Sequence, residues 1–141
     1  MNRSQFDEYI RRFNEEDPTA FDDYIATDMK MLNGALEFSG VAGMRDHYEN
    51  KIWPYFVEKL YISAFIGNDE NVCVKMWTNF TAKMDADSLF GAVKKGEQFD
   101  FRGLILYDLN AAGKFSTITV AYNSFKNTKI SGEEIEMGIP H

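Results

Sequence analysis

The hydrophobic period of the chain changes once, near residue 57, from the helical spacing to strict alternation, and that switch fixes the class of fold. Ahead of it, Phe6, Tyr9, Ile10 and Phe13 fall on one face of a helix, with Ser4 and Asp7 as a capping-box-like start. Asp17-Pro18 reads as a second start, Asp as N-cap and Pro as the first helical residue, before Phe21, Tyr24 and Ile25. Asn33-Gly34 marks a turn or break between two short strands. Ser39-Gly40 opens a third helix with Val41, Met44, Tyr48 and Ile52 on one side, ended or kinked by Pro54. Beyond the switch, residues 57–67 alternate with Leu60, Ile62, Ala64 and Ile66 on one face. Residues 72–83 alternate more cleanly, with Val72, Val74, Met76, Thr78 and Phe80 on one side and Cys73, Lys75, Trp77, Asn79 and Thr81 on the other. Residues 85–96 have no period and read as a loop, and 97–109 and 114–125 are long strands joined at Asn110-Ala-Ala-Gly113. Helices followed by a strand meander mean α+β, with the helices packed on one face of a bent, mostly antiparallel sheet. The length, 141 residues, suits one domain spanning 1–141 with a polar C-terminal tail over 127–141.

Charge and cysteine usage narrow the function classes. Fifteen Lys plus Arg against 22 Asp plus Glu give a net charge of −7, which argues against a nucleic-acid or anionic-membrane partner. Cys73 is the single cysteine and His47 and His141 the two histidines, too few for a disulfide or a Cys-based zinc site. No apolar run reaches a bilayer span, and the first residues lack the apolar stretch of a signal peptide, so a cytoplasmic location is expected. No Gly-x-Gly-x-x-Gly, P-loop or zinc spacing is present, so no cofactor is expected.

Three stretches carry a family likeness. They are Tyr9 to Asp17; Phe38-Ser-Gly40-Val-Ala-Gly-Met44-Arg45-Asp-His-Tyr48; and Leu109 to Phe115 leading into Tyr122-Asn123. Together they resemble the superfamily of ketosteroid isomerases, SnoaL-like polyketide cyclases, limonene-epoxide hydrolases and nuclear transport factor 2. The resemblance implies three N-terminal helices in the concave face of a strongly curved sheet, forming a cone with a deep pocket. It also implies that Tyr9 stands where the isomerases place a donor to an enolate oxygen. Asn33 stands where they place a general base, but Asn takes no proton at pH 7. Ile105 replaces their neutral Asp, Trp77 and Asn79 stand at the Arg-x-Asp pair of the epoxide hydrolases, and Asn123 lies near an acid of the last strand.

The same pattern puts Lys75, Trp77, Asn79 and Thr81 on the cone wall and the Val72 to Phe80 face outside. Asp100 and Arg102 share a face one strand over, and His47 lies at the edge of the third helix's apolar stripe. The candidate catalytic set is Tyr9, His47, Lys75, Asp100 and Arg102, with Asn33, Trp77, Asn79, Tyr107, Tyr122 and Asn123 binding substrate and no metal. A bulge that flips parity replaces Asn123 by Tyr122. Plain structural readings stand beside these: core aromatics for the tyrosines, a sheet-face salt bridge for Asp100 and Arg102, a solvated lysine for Lys75. The expected function is cofactor-independent acid/base chemistry, of isomerase, cyclase or dehydratase type, on a medium-sized apolar oxygenated small molecule such as a polyketide or terpenoid intermediate. The alternative is a non-catalytic binding or dimerisation module. A homodimer is expected through an outer apolar row of Val72, Val74, Met76, Phe80, Ile118 and Val120.

Overall fold

Local sequence starts and stops each helix in the computed structural model, which describes residues 1–139. Helix α1 spans Arg3–Asn14, and its N-cap is Asn2, two residues before the expected Ser4. Asn2 accepts from the Gln5 amide at 2.9 Å while the Gln5 side chain accepts from the Asn2 amide, a closed capping box. Phe6, Tyr9, Ile10 and Phe13 are its buried face, as the spacing predicts. Helix α2 is Thr19–Tyr24, and Asp17 Oδ1 accepts from the Thr19 amide at its start. Helix α3, Gly40–Arg45, continues directly into a π-helical segment, Asp46–Ile52. Gly40 has φ +71°, and a Cβ there would lie 2.5 Å from the Thr27 carbonyl oxygen, so only glycine lets α3 sit down on the neighbouring strand.

The strands are β1 (Ile25–Asn33), β2 (Leu36–Ser39), β3 (Phe56–Gly67), β4 (Asn71–Ala82), β5 (Ala86–Ser88), β6 (Gly91–Val93), β7 (Gln98–Leu109), β8 (Phe115–Thr128) and β9 (Glu134–Glu136). Among the described residues the main sheet runs β2-β1-β8-β7-β4-β3, with β9 added along β8. All its pairs are antiparallel except β1 with β8. The fold is thus α+β, N-terminal helices on an open, mostly antiparallel sheet. The stretch 85–96, expected as a loop, instead forms the small β5–β6 hairpin, separate from the main sheet. Three-residue strands are too short to show a period, which is why alternation did not reveal them.

Parity is where the sheet departs from expectation. Val72, Val74, Met76 and Phe80 are buried under the helices, and so are Ile118 and the inward residues of β7. The row assigned to an outer dimer face is the inner wall of the cone. Register shifts then reset parity within β3 and β8, at opposite sides of the β7–β4 pair. In β3 the register slips at Ser63, so Phe65 packs against Phe6 while Ile66, which simple alternation puts on the face of buried Leu60, is exposed. In β8 it slips at Asn123, because Arg102 faces Ser124 while Gly103 faces Tyr122. Gly103 permits this: a Cβ there would lie 2.3 Å from the Ala121 carbonyl oxygen.

Candidate functional site

The concave face of the sheet and the helices enclose a cavity of about 320 Å³. Its wall is mostly aromatic and aliphatic, including Phe13, Phe38, Phe80, Phe101, Met76 and Ile105. Its polar lining is Tyr9, Asn33, His47, Tyr48, Glu58, Thr78, Tyr107 and Tyr122, and no Lys or Arg is among the described residues that line it.

Glu58 dominates this set. It sits on the inward parity of β3, facing Phe80 of β4, and is 6% exposed. Its Oε2 has no hydrogen-bond partner. A carboxyl taken out of water without a partner favours its neutral form. Burial, with a smaller push from the charge of Glu16, raises the Glu58 carboxyl to about 8. Around it stand the hydroxyls of Tyr9 from α1, Tyr48 from the π-helical segment and Tyr107 from β7. Burial raises all three, and the nearby Glu58 carboxylate raises each further. They therefore remain neutral hydroxyls, potential donors on residues that line the same cavity.

The π-helical segment supplies the roof. Its wider turn closes with the Trp53 amide donating to the Tyr48 carbonyl at 2.8 Å, five residues back. That turn sets His47 against Phe38, ring centres 4.8 Å apart and stacked, with Tyr48 edge-on at the same distance. Burial, helped by the positive charge of Lys51, lowers His47 to about 4, so its imidazole is neutral at pH 7. A neutral imidazole offers one donor and one acceptor to a ligand, and no charge.

The sequence-predicted residues divide cleanly. Tyr9, Asn33, His47, Tyr107 and Tyr122 line the cavity together. Lys75, Trp77, Asn79, Asp100, Arg102 and Asn123 do not, which corrects the expectation that one polar strand face lines the cone. Lys75, Arg102 and Asn123 are exposed. Trp77, Asn79 and Asp100 form a network on the convex face. The Trp77 indole N–H donates to Asp100 Oδ1 at 2.6 Å and the Asn79 amide donates to the same oxygen at 2.9 Å. Tyr61 stacks on Trp77 at 4.7 Å, and the Arg102 guanidinium lies over the indole at 4.6 Å. Asn123 is the extra residue of the β8 bulge, and Tyr122 takes its place inside. Glu58 and Tyr48 were missed as site residues. The signal for Glu58 is a carboxylate on the same parity as Leu60 and Ile62, an acid where the strand is otherwise apolar.

A curved open sheet wrapped on N-terminal helices around an apolar cavity with a few convergent polar groups defines the nuclear transport factor 2-like, or SnoaL-like, fold. Neither a protein-family model nor a curated protein matches this sequence. Solved structures do. A candidate polyketide cyclase from Xanthomonas campestris pv. campestris superposes with a TM-score of 0.65 at 20% identity, covering 79% of this chain and 82% of that one. A second candidate polyketide cyclase, from Pseudomonas putida KT2440, gives 0.66 at 19% identity, covering 82% and 86%. A computationally designed 17-OHP binder also gives 0.66, at 11% identity, covering 83% and 92%. Identities this low establish a shared fold, and a fold carries many functions.

Proposed function

We propose that this chain is a cytoplasmic, cofactor-independent acid/base enzyme of isomerase, cyclase or dehydratase type. Its substrate is a medium-sized, apolar, oxygenated molecule such as a polyketide or terpenoid intermediate, and residues 1–141 act as one domain. The observation that carries the reading is Glu58, a buried residue of the aromatic cavity's wall with one carboxyl oxygen unpartnered. An acid held near 8 is mostly protonated at neutral pH, yet close enough to it to give and retake a proton, as general acid/base catalysis requires. Glu58 donates its proton to a substrate oxygen, or its carboxylate removes one from carbon beside a carbonyl. The hydroxyls of Tyr9, Tyr48 and Tyr107 stabilise the charge that develops on oxygen. Asn33, Tyr122 and neutral His47 orient the substrate.

The test is exchange of α-hydrogens for deuterium in neutral cyclic ketones such as 1-tetralone, followed by NMR in D2O. Acceleration by the wild type that Glu58→Gln abolishes supports the reading. Binding without acceleration favours the second one, a non-catalytic binding module. That alternative draws support from the absence of an acid at Asn33 and Ile105, and from a designed binder of the same fold.

We also propose a homodimer through the convex face, on different residues from those the sequence suggested. Tyr61, Leu104 and Leu106 are exposed there beside Trp77, an apolar surface that pairing would cover. A wild-type mass near 16.2 kDa by light scattering would remove this proposal.

A further inference from the structure

The β5–β6 hairpin is tied to the cone by side chains and by nothing in the main sheet's ladder. Its own hydrogen bonds are internal: Ala86 pairs with Val93, Asp87 with Ala92 and Ser88 with Gly91. Ser88 Oγ donates to the Gly91 carbonyl at 2.9 Å and accepts from the Phe90 amide at 3.1 Å, which fixes the tip. At the base, Asp85 Oδ1 accepts from the Lys95 amide at 2.8 Å. Among the described residues no strand of the main sheet pairs with it. The foot is held by backbone bonds from the Ala82 amide to the Glu97 carbonyl, the Gly96 amide to the Ala82 carbonyl and the Lys83 amide to the Tyr55 carbonyl, so a displacement confined to residues 86–93 breaks no main-sheet hydrogen bond.

Its tip, Leu89 and Phe90, belongs to the cavity wall. Leu89 is half exposed, so it marks the mouth, where cavity meets solvent. The Phe90 ring reaches further in. It lies 5.3 Å from Phe56 of β3, 5.1 Å from Phe80 of β4, 4.7 Å from Phe99 of β7 and 5.7 Å from Phe125 of β8. One ring thus touches four successive strands at one end of the cone. At the foot of the hairpin Val93 is buried and Ala86 packs against the core.

We propose that Phe90 is the specificity-determining residue of this cavity, its ring a movable end wall that sets how long a planar apolar ligand the cone admits. This rests on the reading of the cavity as a ligand site. Lifting the hairpin withdraws the ring from its five aromatic partners, Phe101 at 5.8 Å included, and opens the mouth; lowering it closes the cavity over a ligand short enough to fit. Rings from four strands fix the closed position, and the separate hydrogen bonding of the hairpin makes the open one accessible.

The test compares two uncharged probes of different length, 1-tetralone by NMR titration and Nile red by fluorescence, on wild type, Phe90→Ala and Phe90→Leu. Circular dichroism checks that each variant is folded, and Phe90→Leu keeps an apolar anchor if the alanine variant is not. The expected result is a gain of about tenfold or more in Nile red affinity on shortening Phe90, with 1-tetralone changed by less than about threefold. Hydrogen exchange in residues 86–93 should also be faster than in the β4–β7 ladder, and faster still in Phe90→Ala. If 1-tetralone binds every protein and Nile red affinity stays the same, the role of Phe90 is overturned while the ligand site stands. If neither probe binds any of them, the ligand-site reading fails and the gate falls with it.

Discussion

The two faces of β4 carry polar groups in opposite condition. On the convex face, Trp77, Asn79 and Asp100 satisfy one another, and Arg102 and Tyr61 sandwich the indole. On the concave face, Glu58 of the adjoining strand lies under the helices with an oxygen that bonds to nothing. A satisfied network stabilises a sheet and asks for no ligand. An unsatisfied buried carboxyl costs stability, and such a cost persists where a ligand or a reaction uses the group. The polar richness of a strand face is therefore a poorer guide to a site than the unmet bonding capacity of one side chain.

The sharpest way to break this contrast is a pair of isosteric changes. Glu58→Gln should lower ketone exchange by about 10²- to 10⁴-fold, the usual worth of a general acid or base, while Asp100→Asn should leave it within about threefold. Equal losses would put the chemistry on the wrong face.

Stability offers a second contrast. Phe80→Ala removes a buried ring that meets Phe56, Phe90 and Phe101, and should cost about 3–5 kcal/mol in urea unfolding. Trp77→Ala removes a half-buried ring from the convex face and should cost clearly less, about 1–2 kcal/mol. The reverse order would mean that the convex face is covered in solution.

A smaller effect lies in pH. The Glu58 carboxyl sits near 8 in the fold against an ordinary 4.5, so the fold holds its proton more tightly. Its contribution is full below 4.5 and is lost as pH rises through 8. His47 sits near 4 against an ordinary 6.5, so its contribution is full above 6.5 and is lost as pH falls through 4. Between 6.5 and 8 only the Glu58 loss operates. Stability should fall across that window by up to about 1.4 kcal/mol per pH unit, and Glu58→Gln should flatten the fall. A thermal scan in which both proteins show the same slope would detach Glu58 from it.

The smallest effect expected is on the convex network itself. Asp100→Asn keeps an acceptor for the indole and should cost about 1 kcal/mol, read from the same urea unfolding.

Much of the fold was legible because burial writes itself into spacing. The α1 stripe, the turn at Asn33-Gly34, the third helix from Gly40 and the long β7–β8 hairpin all follow from period and turn residues. The inward face of β4 was misread although the alternation itself was correct. Period two separates a strand's faces without saying which is inside, and the apolar row should have decided it over the family pattern. The bulge at Ser63 leaves no mark in composition, and at Asn123 the sequence allows either parity, so alternation alone does not fix which residues face inward beyond them. Of the five predicted residues that line the cavity, Tyr9 and His47 come from helical segments and Asn33 from the end of β1, while Tyr107 and Tyr122 were selected alongside Asp100, Arg102 and Asn123 of the opposite face, so parity on β7 and β8 did not separate them. Glu58 was hidden because a single acid in an apolar alternation looks like noise until its burial is known.

The β8 bulge has one more implication, best put in terms of insertions and deletions. Asn123 is an added residue: Tyr122 faces Gly103 before it and Ser124 faces Arg102 after it. Removing it would leave Ile118, Val120, Tyr122 and Phe125 on one side by simple alternation, with every cross-strand partner kept. Substituting Asn123 tests a side chain, whereas deleting it tests curvature alone, because the sheet would lose a bend and no pairing. A single codon thus separates the bulged β8 from a regularly alternating one carrying the same inward-facing residues.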